Sequence, residues 1–251
     1  MQHKKQLGQN FIVDKNIIKK LVSNIKPKKE DIFIEIGPGD GAMTLPVFKK
    51  VSKMYLIEKD IRLIKNLQMM LKPNNKRIIL NEDVLKYNFN KFDFDFRLIG
   101  NLPYNISTEI LFKICKVENI IDIHFMLQKE VVDRIISQND SKEYGRLSVM
   151  TQAYFFVQKI CDISRHVFQP KPKVTSSFIR LLPRQNVFVN HRHENNFKNI
   201  VRSAFMNRRK MIKTSLKQYF SENEMLAMSI NPKFRPENLS VKNYLEMSIH
   251  V

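Results

Sequence analysis

A short turn rich in oxygen acceptors carries the residues of this chain that are best suited to chemistry. Residues 101–107 read NLPYNIS and follow a predicted strand at 96–100. The side-chain oxygen of Asn101 and the backbone carbonyl of Leu102 can both accept hydrogen bonds. Pro103 fixes its own backbone angle and has no N–H, so the turn presents carbonyl groups. Such a turn is suited to holding an amino group by its hydrogens.

The same turn fits methylation of an aromatic amine such as the exocyclic amine of adenine. That nitrogen is a poor nucleophile because its lone pair is delocalised into the ring. Two acceptors on its hydrogens favour a pyramidal nitrogen and free the lone pair, while Tyr104 offers a flat face for stacking the base. A sulfonium methyl donor is already activated, so alignment and electrostatics suffice and no group has to ionise. An ordinary Asn-x-Pro turn is the alternative interpretation.

A glycine-rich turn lies upstream, where a strand passes into a helix. Residues 35–41 read EIGPGDG, and glycines there allow a tight turn and close approach of a ligand. The G-x-G-x-G spacing differs from the G-x-G-x-x-G of dinucleotide binders, and the Lys and Ser/Thr of a phosphate-binding loop are missing. The pattern therefore favours a nucleoside without phosphates, although a simple strand–helix turn stays open.

Two acids follow the next predicted strands. Glu58 ends the second strand, about 20 residues after the first glycine, where an acid can accept hydrogen bonds from both ribose hydroxyls. Asp83 follows the third strand and can accept from an adenine amine. The alternatives are a solvated loop acid beside Lys59 and Arg62, and a turn cap. Because ligands bind at the carboxyl ends of strands in open parallel sheets, the two acids and the glycine turn together indicate a nucleoside site.

The elements that must position these residues alternate along the chain. Predicted strands lie at 32–36, 53–57, 78–80, 96–100 and 123–127, and predicted helices lie between them at 44–50, 61–71 and 107–115. This order predicts a mostly parallel sheet with helices on both faces. Apolar residues at helical spacing over 197–220, 225–228 and 241–247 predict a small all-helical domain. We therefore expect a catalytic domain over 1–185 and a helical C-terminal domain over 186–251.

The charge of the chain indicates a polyanionic partner. Lys and Arg number 43 against 24 Asp and Glu, which gives a net charge of +19 over 251 residues. Nucleic acid is the simplest partner that offsets such a charge, and a generally basic composition is the alternative. The basic residues form separate clusters in the N-terminal segment, at Lys171 and Lys173, and along 202–217. Charge of this kind supplies affinity that does not depend on nucleotide sequence.

Several classes of protein are disfavoured by composition. The two cysteines, Cys115 and Cys161, make neither a disulfide framework nor a zinc site, and the six histidines show no ligand spacing, so we expect no metal. The first residues lack the apolar core of a signal peptide, and no apolar run approaches the roughly 20 residues of a membrane span. These features predict a soluble, cytoplasmic protein.

Five stretches, in their order along the chain, resemble those of one enzyme family. They are residues 7–12 (LGQNFI), 100–108 (GNLPYNIST), 125–131 (FMLQKEV), 144–149 (YGRLSV) and 168–176 (FQPKPKVTS). From about residue 6 to residue 243, the chain is similar to the small-subunit (16S) ribosomal RNA adenine dimethyltransferases of the KsgA type. The resemblance implies a Rossmann-like, class I S-adenosylmethionine-dependent methyltransferase fold.

The resemblance also implies roles for individual residues. The S-adenosyl-L-methionine site would be formed by Asn10, Ile12, Gly37, Glu58, Asp83 and Asn101. Asn101, Leu102, Pro103 and Tyr104 would meet the target base, and Phe168 would close on its other face. The substrate would be two adjacent adenines in the 3′-terminal hairpin loop of 16S rRNA within an assembling small subunit, each receiving two methyl groups, and the helical domain would dock on the RNA.

Two positions complicate this assignment. Phe168 is flanked by Pro170 and Pro172, and a loop phenylalanine packed into the core is the alternative interpretation. Lys59 stands where an apolar residue is common in the family, and it can pair with Glu58 and so compete with the ribose.

Three other functions share parts of the pattern. A large-subunit rRNA methylase that confers macrolide resistance has the same architecture, but Ile is usual at position 102. A protein-glutamine or DNA amine methyltransferase would have a second proline there. A non-catalytic RNA-binding factor is the alternative from a different class, and the intact NLPY turn argues against it.

Overall fold

Apolar runs separated by amphipathic segments give this chain its order of strands and helices. The computed structural model describes residues 10–71 and 76–251. The strands are β1 (Phe11–Ile12), β2 (Ile32–Ile36), β3 (Lys53–Glu58), β4 (Arg77–Asn81), β5 (Phe96–Asn101), β6 (Ile120–Gln128), β7 (Phe155–Ile163), β8 (Phe168–Gln169) and β9 (Ser176–Pro183). The helices are α1 (Lys15–Ile25), α2 (Thr44–Phe48), α3 (Ile61–Met70), α4 (Ser107–Ile114), α5 (Lys129–Ile136), α6 (Arg146–Tyr154), α7 (His191–Met206), α8 (Ile212–Ser215), α9 (Glu222–Ala227) and α10 (Val241–Ile249).

Seven strands form one sheet in the order β4-β3-β2-β5-β6-β9-β7. The five strands from β4 to β6 are parallel to their neighbours, and β9 is antiparallel to β6. Ile36 pairs with both Ile57 and Gly100, so β2, β3 and β5 end at the same level. The predicted mostly parallel sheet is confirmed, and the turns after these strands meet at one edge.

The centre of the sheet is covered on both faces. In β2, Phe33, Ile34 and Ile36 are at most 1% exposed, as expected for a parallel strand between two helical layers. Helix α1 packs Leu21 and Ile25 into the same core. Asp14 caps the start of this helix, because its carboxylate accepts from the backbone N–H groups of residues 16 and 17.

A buried arginine ties α1 to the sheet. Arg97 of β5 donates two hydrogen bonds to Asp122 and one to Asp31, at 2.7–2.9 Å. Its guanidinium also donates to the backbone carbonyls of Ile25 and Lys26, where α1 ends. The charge is therefore paired, and the carbonyl groups at the end of α1, which a helix end otherwise leaves unsatisfied, gain a donor.

The chain divides into two compact units. One comprises the described residues up to Val132 together with Gln158–Pro183, and the other comprises Asp133–Val157 together with Arg184–Val251. The predicted domain boundary at 185/186 lies close to the point where the chain last passes from the first unit to the second, between Pro183 and Arg184. The prediction placed residues 133–157 in the catalytic domain, whereas they belong to the second unit. Tyr154 donates a 2.7 Å hydrogen bond to Glu194, which helps to join this segment to the C-terminal helices. No helix in the described ranges is long and apolar enough to cross a membrane.

Candidate active site

A cavity of about 210 Å³ lies at the carboxyl ends of β2, β3 and β5. Nine of the ten residues that the sequence assigned to the site line it: Asn10, Ile12, Gly37, Glu58, Asp83, Asn101, Leu102, Pro103 and Tyr104. The remaining predicted residue, Phe168, does not. The parallel register explains this convergence, because residues far apart in sequence follow strands that end at the same level.

The glycine turn needs its glycines for backbone geometry. Gly37 and Gly39 have φ values of +65° and +60°, in the region that other residues rarely adopt. A Cβ on Gly39 would also lie 2.8 Å from the ring of Phe11. The amide of Gly37 donates to the carbonyl of Ile57 at 3.0 Å, which anchors the turn to β3. The turn can therefore pass close to Phe11 and leave its backbone facing the cavity.

The carboxylate of Glu58 organises the turn after β3. Its Oε1 accepts from the backbone N–H groups of Lys59 at 2.9 Å and Asp60 at 2.8 Å, and its Oε2 accepts from that of Gly39 at 3.4 Å. The side chain is buried, which raises its pKa, while the three hydrogen bonds act in the opposite direction. From the described residues Oε2 accepts only this one long bond, so it keeps acceptor capacity for a ligand hydroxyl.

Lys59 pairs with Asp83 and not with Glu58. Its Nζ lies 2.8 Å from Oδ2 of Asp83, with the lysine side chain 68% exposed. The other oxygen of Asp83 accepts from the backbone N–H of Leu85 at 3.0 Å. The hydrogen bond from Lys59 lowers the pKa of Asp83 and keeps it ionised. Asp83 thus serves as a turn cap and also lines the cavity. Because Lys59 pairs with Asp83, its ammonium does not compete with a ligand for the carboxylate of Glu58.

A buried carboxyl that the sequence interpretation missed also lines the cavity. Glu35 lies in β2, is 1% exposed, and accepts a 2.6 Å hydrogen bond from the hydroxyl of Thr44. Burial raises the pKa of Glu35 to about 8, and nearby Asp40 and Glu58 raise it further against the effect of Thr44. An acid inside an apolar strand run was the available signal, since such a residue needs a reason to be buried.

The amide of Asn101 is held in one orientation. Its Nδ2 donates a 2.7 Å hydrogen bond to the backbone carbonyl of Asn10. Within residues 10–71 and 76–251, no donor reaches its Oδ1. The bond to Asn10 therefore uses the donor end of the amide and leaves available the acceptor end of a residue that lines the cavity.

The backbone carbonyl groups of the turn differ in whether they accept a hydrogen bond from the protein. The carbonyl of Pro103 accepts from the N–H of Ile106 at 3.2 Å, and that of Tyr104 accepts from the hydroxyl of Ser107 at 3.2 Å. The carbonyl of Leu102 accepts no hydrogen bond from the part of the chain that the structure describes. Leu102 is fixed nonetheless, because its N–H donates to Met126 at 3.1 Å. Two unused acceptors, Oδ1 of Asn101 and the carbonyl oxygen of Leu102, thus stand on consecutive residues.

The two aromatic residues assigned to the base are in different positions. Tyr104 lines the cavity, and its hydroxyl lies 2.7 Å from that of Ser176. Burial raises the pKa of Tyr104, so the phenol is neutral at physiological pH. Phe168 is 4% exposed and packs in the core with Ile12 and Phe178. Its backbone pairs with that of Ile12, so Phe168 lies next to a residue of the cavity wall without lining the cavity itself.

The cavity has the opposite charge from the chain as a whole. The lining residues that are charged at neutral pH are Lys59 and five acids, namely Asp40, Glu58, Asp60, Glu82 and Asp83, while Glu35 is protonated because its pKa is about 8. This lining favours a cationic ligand and opposes phosphate groups, in agreement with the glycine spacing. Among the described residues, no group of three or more His, Cys, Asp or Glu is arranged to hold a metal ion. That the protein works without a metal ion stays a prediction from the sequence.

Comparisons with known proteins agree with this geometry. A model of the family "Ribosomal RNA adenine dimethylase" matches residues 1–251. A protein named ribosomal RNA small subunit methyltransferase A from Wigglesworthia glossinidia brevipalpis is 45% identical over 97% of this chain and 95% of its own length. A protein of the same name from Buchnera aphidicola subsp. Baizongia pistaciae is 44% identical over 98% of this chain and 96% of its own length.

Solved structures share the fold at lower identity. A dimethyladenosine transferase from Plasmodium falciparum superposes with a TM-score of 0.81 at 24% identity, covering 94% of this chain and 95% of the other. The 23S rRNA methyltransferase ErmE superposes with a TM-score of 0.74 at 21% identity, covering 96% and 98%. The full-length family match and the close relatives, together with the NLPY turn at the cavity, show that this chain belongs to the ribosomal RNA adenine dimethylase family.

Proposed function

We propose that this protein transfers methyl groups from S-adenosylmethionine to the exocyclic amines of two adjacent adenines in the 3′-terminal hairpin loop of 16S rRNA. Each adenine receives two methyl groups. The observation that carries the proposal is the pair of unused acceptors on the cavity wall, Oδ1 of Asn101 and the carbonyl oxygen of Leu102. An amino group has two hydrogens, and this pair offers one acceptor for each.

The cavity fits the proposed cofactor in charge and in chemistry. S-adenosylmethionine carries a sulfonium cation, and the wall carries five carboxylates against the ammonium of Lys59. Glu58 would accept from the ribose hydroxyls, Asp83 from the adenine amine, and the turn at Gly37 would allow close approach of the backbone. Asn10, Ile12 and Asn101 would complete the site. When bound, the cofactor supplies an activated methyl group, which the protein need not activate further.

The protein residues orient the base and its amine. Asn101 and Leu102 accept hydrogen bonds from the amino hydrogens, and this interaction strengthens as the nitrogen becomes pyramidal and positive. Pro103 keeps the turn rigid, and Tyr104 stacks on one face of the base. Phe168 closes on the other face from β8, where it pairs with Ile12, and Pro170 and Pro172 restrict the backbone that follows the strand. Stacking on both faces would hold an unstacked base in place.

The substrate assignment follows the names of the relatives. Relatives at 36–45% identity are named small subunit methyltransferases, which supports 16S over 23S rRNA as the target. The helical unit exposes Arg202, Arg209, Lys210 and Lys217, whose charge suits docking on RNA of an assembling small subunit. Arg208 is engaged differently, because it pairs with Glu237 at 3.2 Å. Such a substrate would place the protein in the cytoplasm.

The proposal is tested by methyl transfer to under-methylated ribosomal subunits. Purified small and large subunits are incubated separately with the protein and labelled S-adenosylmethionine, and the modified nucleotides are located by mass spectrometry. We expect label only in 16S rRNA, as dimethyladenosine at two adjacent positions near the 3′ end. Label in 23S rRNA, or cofactor binding without transfer to either subunit, would contradict the proposed substrate.

A further inference from the structure

The hydroxyl of Tyr104 is tied to a residue outside the cavity. Its Oη lies 2.7 Å from Oγ of Ser176, and either oxygen can be the donor. Ser176 is fully buried and does not line the cavity. The two residues belong to different parts of the fold, since Tyr104 stands on the turn after β5 and Ser176 begins β9. The bond therefore spans from the sheet to the turn.

Ser176 is a rigid point of attachment. It pairs with Gln128 in the register of β6 and β9. The carbonyl of the preceding residue, Thr175, accepts from the N–H of Lys129 at 2.9 Å. The backbone on both sides of Ser176 is thus fixed, and its hydroxyl has little freedom to follow a moving partner.

A tyrosine on a turn needs such an attachment if its ring is to serve as a stacking face. The ring of Tyr104 can otherwise rotate about its side-chain bonds, and a misplaced base lowers the rate steeply because reacting atoms must be aligned closely. A bond at the far end of the ring, together with the turn at its near end, fixes both ends of the long axis of the ring and stops it from swinging about the Cα–Cβ bond. The segment from Phe168 to Ser176 then connects both proposed aromatic faces.

We infer that Ser176 is a positioning residue for methyl transfer: its hydrogen bond to Tyr104 fixes the position and long axis of the ring against which the target base stacks. This inference rests on the proposed function, because it needs a base to enter beside Tyr104. It assigns Ser176 no contact with the base or the cofactor, so its loss should lower the rate of methylation and leave cofactor affinity unchanged.

A double-mutant cycle with Ser176→Ala and Tyr104→Phe tests the inference. Both changes remove one oxygen, and Tyr104→Phe keeps the ring. The matched control is Ser177→Ala, because Ser177 is the next residue of β9, is equally buried, and bonds Asp162 instead. Each variant is assayed for kcat and KM on under-methylated small subunits, for cofactor Kd by calorimetry, and for thermal unfolding.

We expect Ser176→Ala and Tyr104→Phe each to lower kcat about 10-fold relative to Ser177→Ala, with cofactor Kd unchanged. The double variant should be no worse than either single one, since both remove the same bond. Equal kcat for Ser176→Ala and Ser177→Ala would overturn the inference, as would multiplicative effects in the double variant. If Ser176→Ala does not fold, wild-type kcat in Tyr104→Phe overturns it. Failure of the proposed function looks different, because the wild type and Ser177→Ala would then bind cofactor but methylate nothing.

Discussion

The side-chain amide of Asn101 donates to the backbone carbonyl of Asn10 across 2.7 Å. This bond joins the turn after β5 to the segment that precedes β1, at a separation of 91 residues. It also decides which end of the amide is left over, and the remaining Oδ1 is an acceptor. The choice of Asn at position 101 is thereby explained, because Asp would have no N–H for Asn10 and Ala would offer neither group.

Glu58 should contribute strongly to cofactor binding. Its carboxylate holds three backbone N–H groups and is proposed to accept from the ribose hydroxyls. We expect Glu58→Gln to weaken S-adenosylmethionine binding about 10- to 100-fold, because charged acceptors bond more strongly than neutral ones. Isothermal titration calorimetry measures the change. Glu118→Gln, at an exposed acid outside the cavity, is the control, and equal affinities of the two variants would refute the role of Glu58.

Lys59 should matter less than its position suggests. Its ion pair with Asp83 is 2.8 Å long, but the lysine side chain is 68% exposed, and such pairs contribute little in water. We expect Lys59→Met to change cofactor affinity by less than about fivefold. Asp83→Asn should weaken it more. A larger loss in Lys59→Met than in Asp83→Asn would show that the ammonium itself contacts the ligand.

The buried Glu35 should make the stability of the ligand-free protein fall as pH rises. Its pKa is about 8 in the folded protein against 4.5 as the ordinary value, so the folded state holds the proton longer than the unfolded state does. The contribution of Glu35 to the free energy of unfolding therefore decreases as pH rises from 4.5 to 8 and levels off above that range. Glu35→Gln removes this dependence.

The comparison of Glu35→Gln with wild type isolates that single group. Urea unfolding between pH 5 and pH 9 should show Glu35→Gln gaining stability relative to wild type by roughly 1–4 kcal/mol across the range. A difference between the two proteins that does not vary with pH would mean that Glu35 is already ionised in the folded protein.

Phe168 offers a test between packing and stacking. The ring lies in the core with Phe178, yet its proposed role is to close on the base. Phe168→Leu and Phe178→Leu should each cost roughly 1–2 kcal/mol of stability. We expect only Phe168→Leu to lower methylation, by about 10-fold, because leucine has no flat face. Equal methylation rates of the two variants would assign Phe168 to the core alone.

The sequence was sufficient to predict β2 to β6, because each is a short apolar run bounded by turn residues. It did not reveal β7 or β9. β7 lies at the sheet edge with Phe156 and Gln158 exposed, so it lacks the apolar run of a central strand. β9 is interrupted by Arg180, whose charge is paired with Asp122, a partner that only the fold brings near.

The residues of the candidate site likewise include some that could be predicted from the sequence and some that could not. Residues at strand ends could be placed together because parallel strands share one edge. The partner of Lys59 could not be predicted, since its neighbour Glu58 is engaged by backbone N–H groups and Asp83 is 24 residues away. The position of Glu35 inside an apolar strand run indicates that it is buried, but its hydrogen bond to Thr44 and its place on the cavity wall depend on tertiary structure. The attachment of Tyr104 to Ser176 likewise arises from tertiary structure.

The most direct measurement is single-turnover methylation of under-methylated small subunits by Asn101→Ala at saturating S-adenosylmethionine. Loss of an acceptor that acts mainly in the transition state should lower the rate about 100- to 1,000-fold, while Asn90→Ala, at an exposed amide outside the cavity, keeps the wild-type rate. A rate for Asn101→Ala within a few-fold of wild type would contradict the claim that this turn holds the adenine amine.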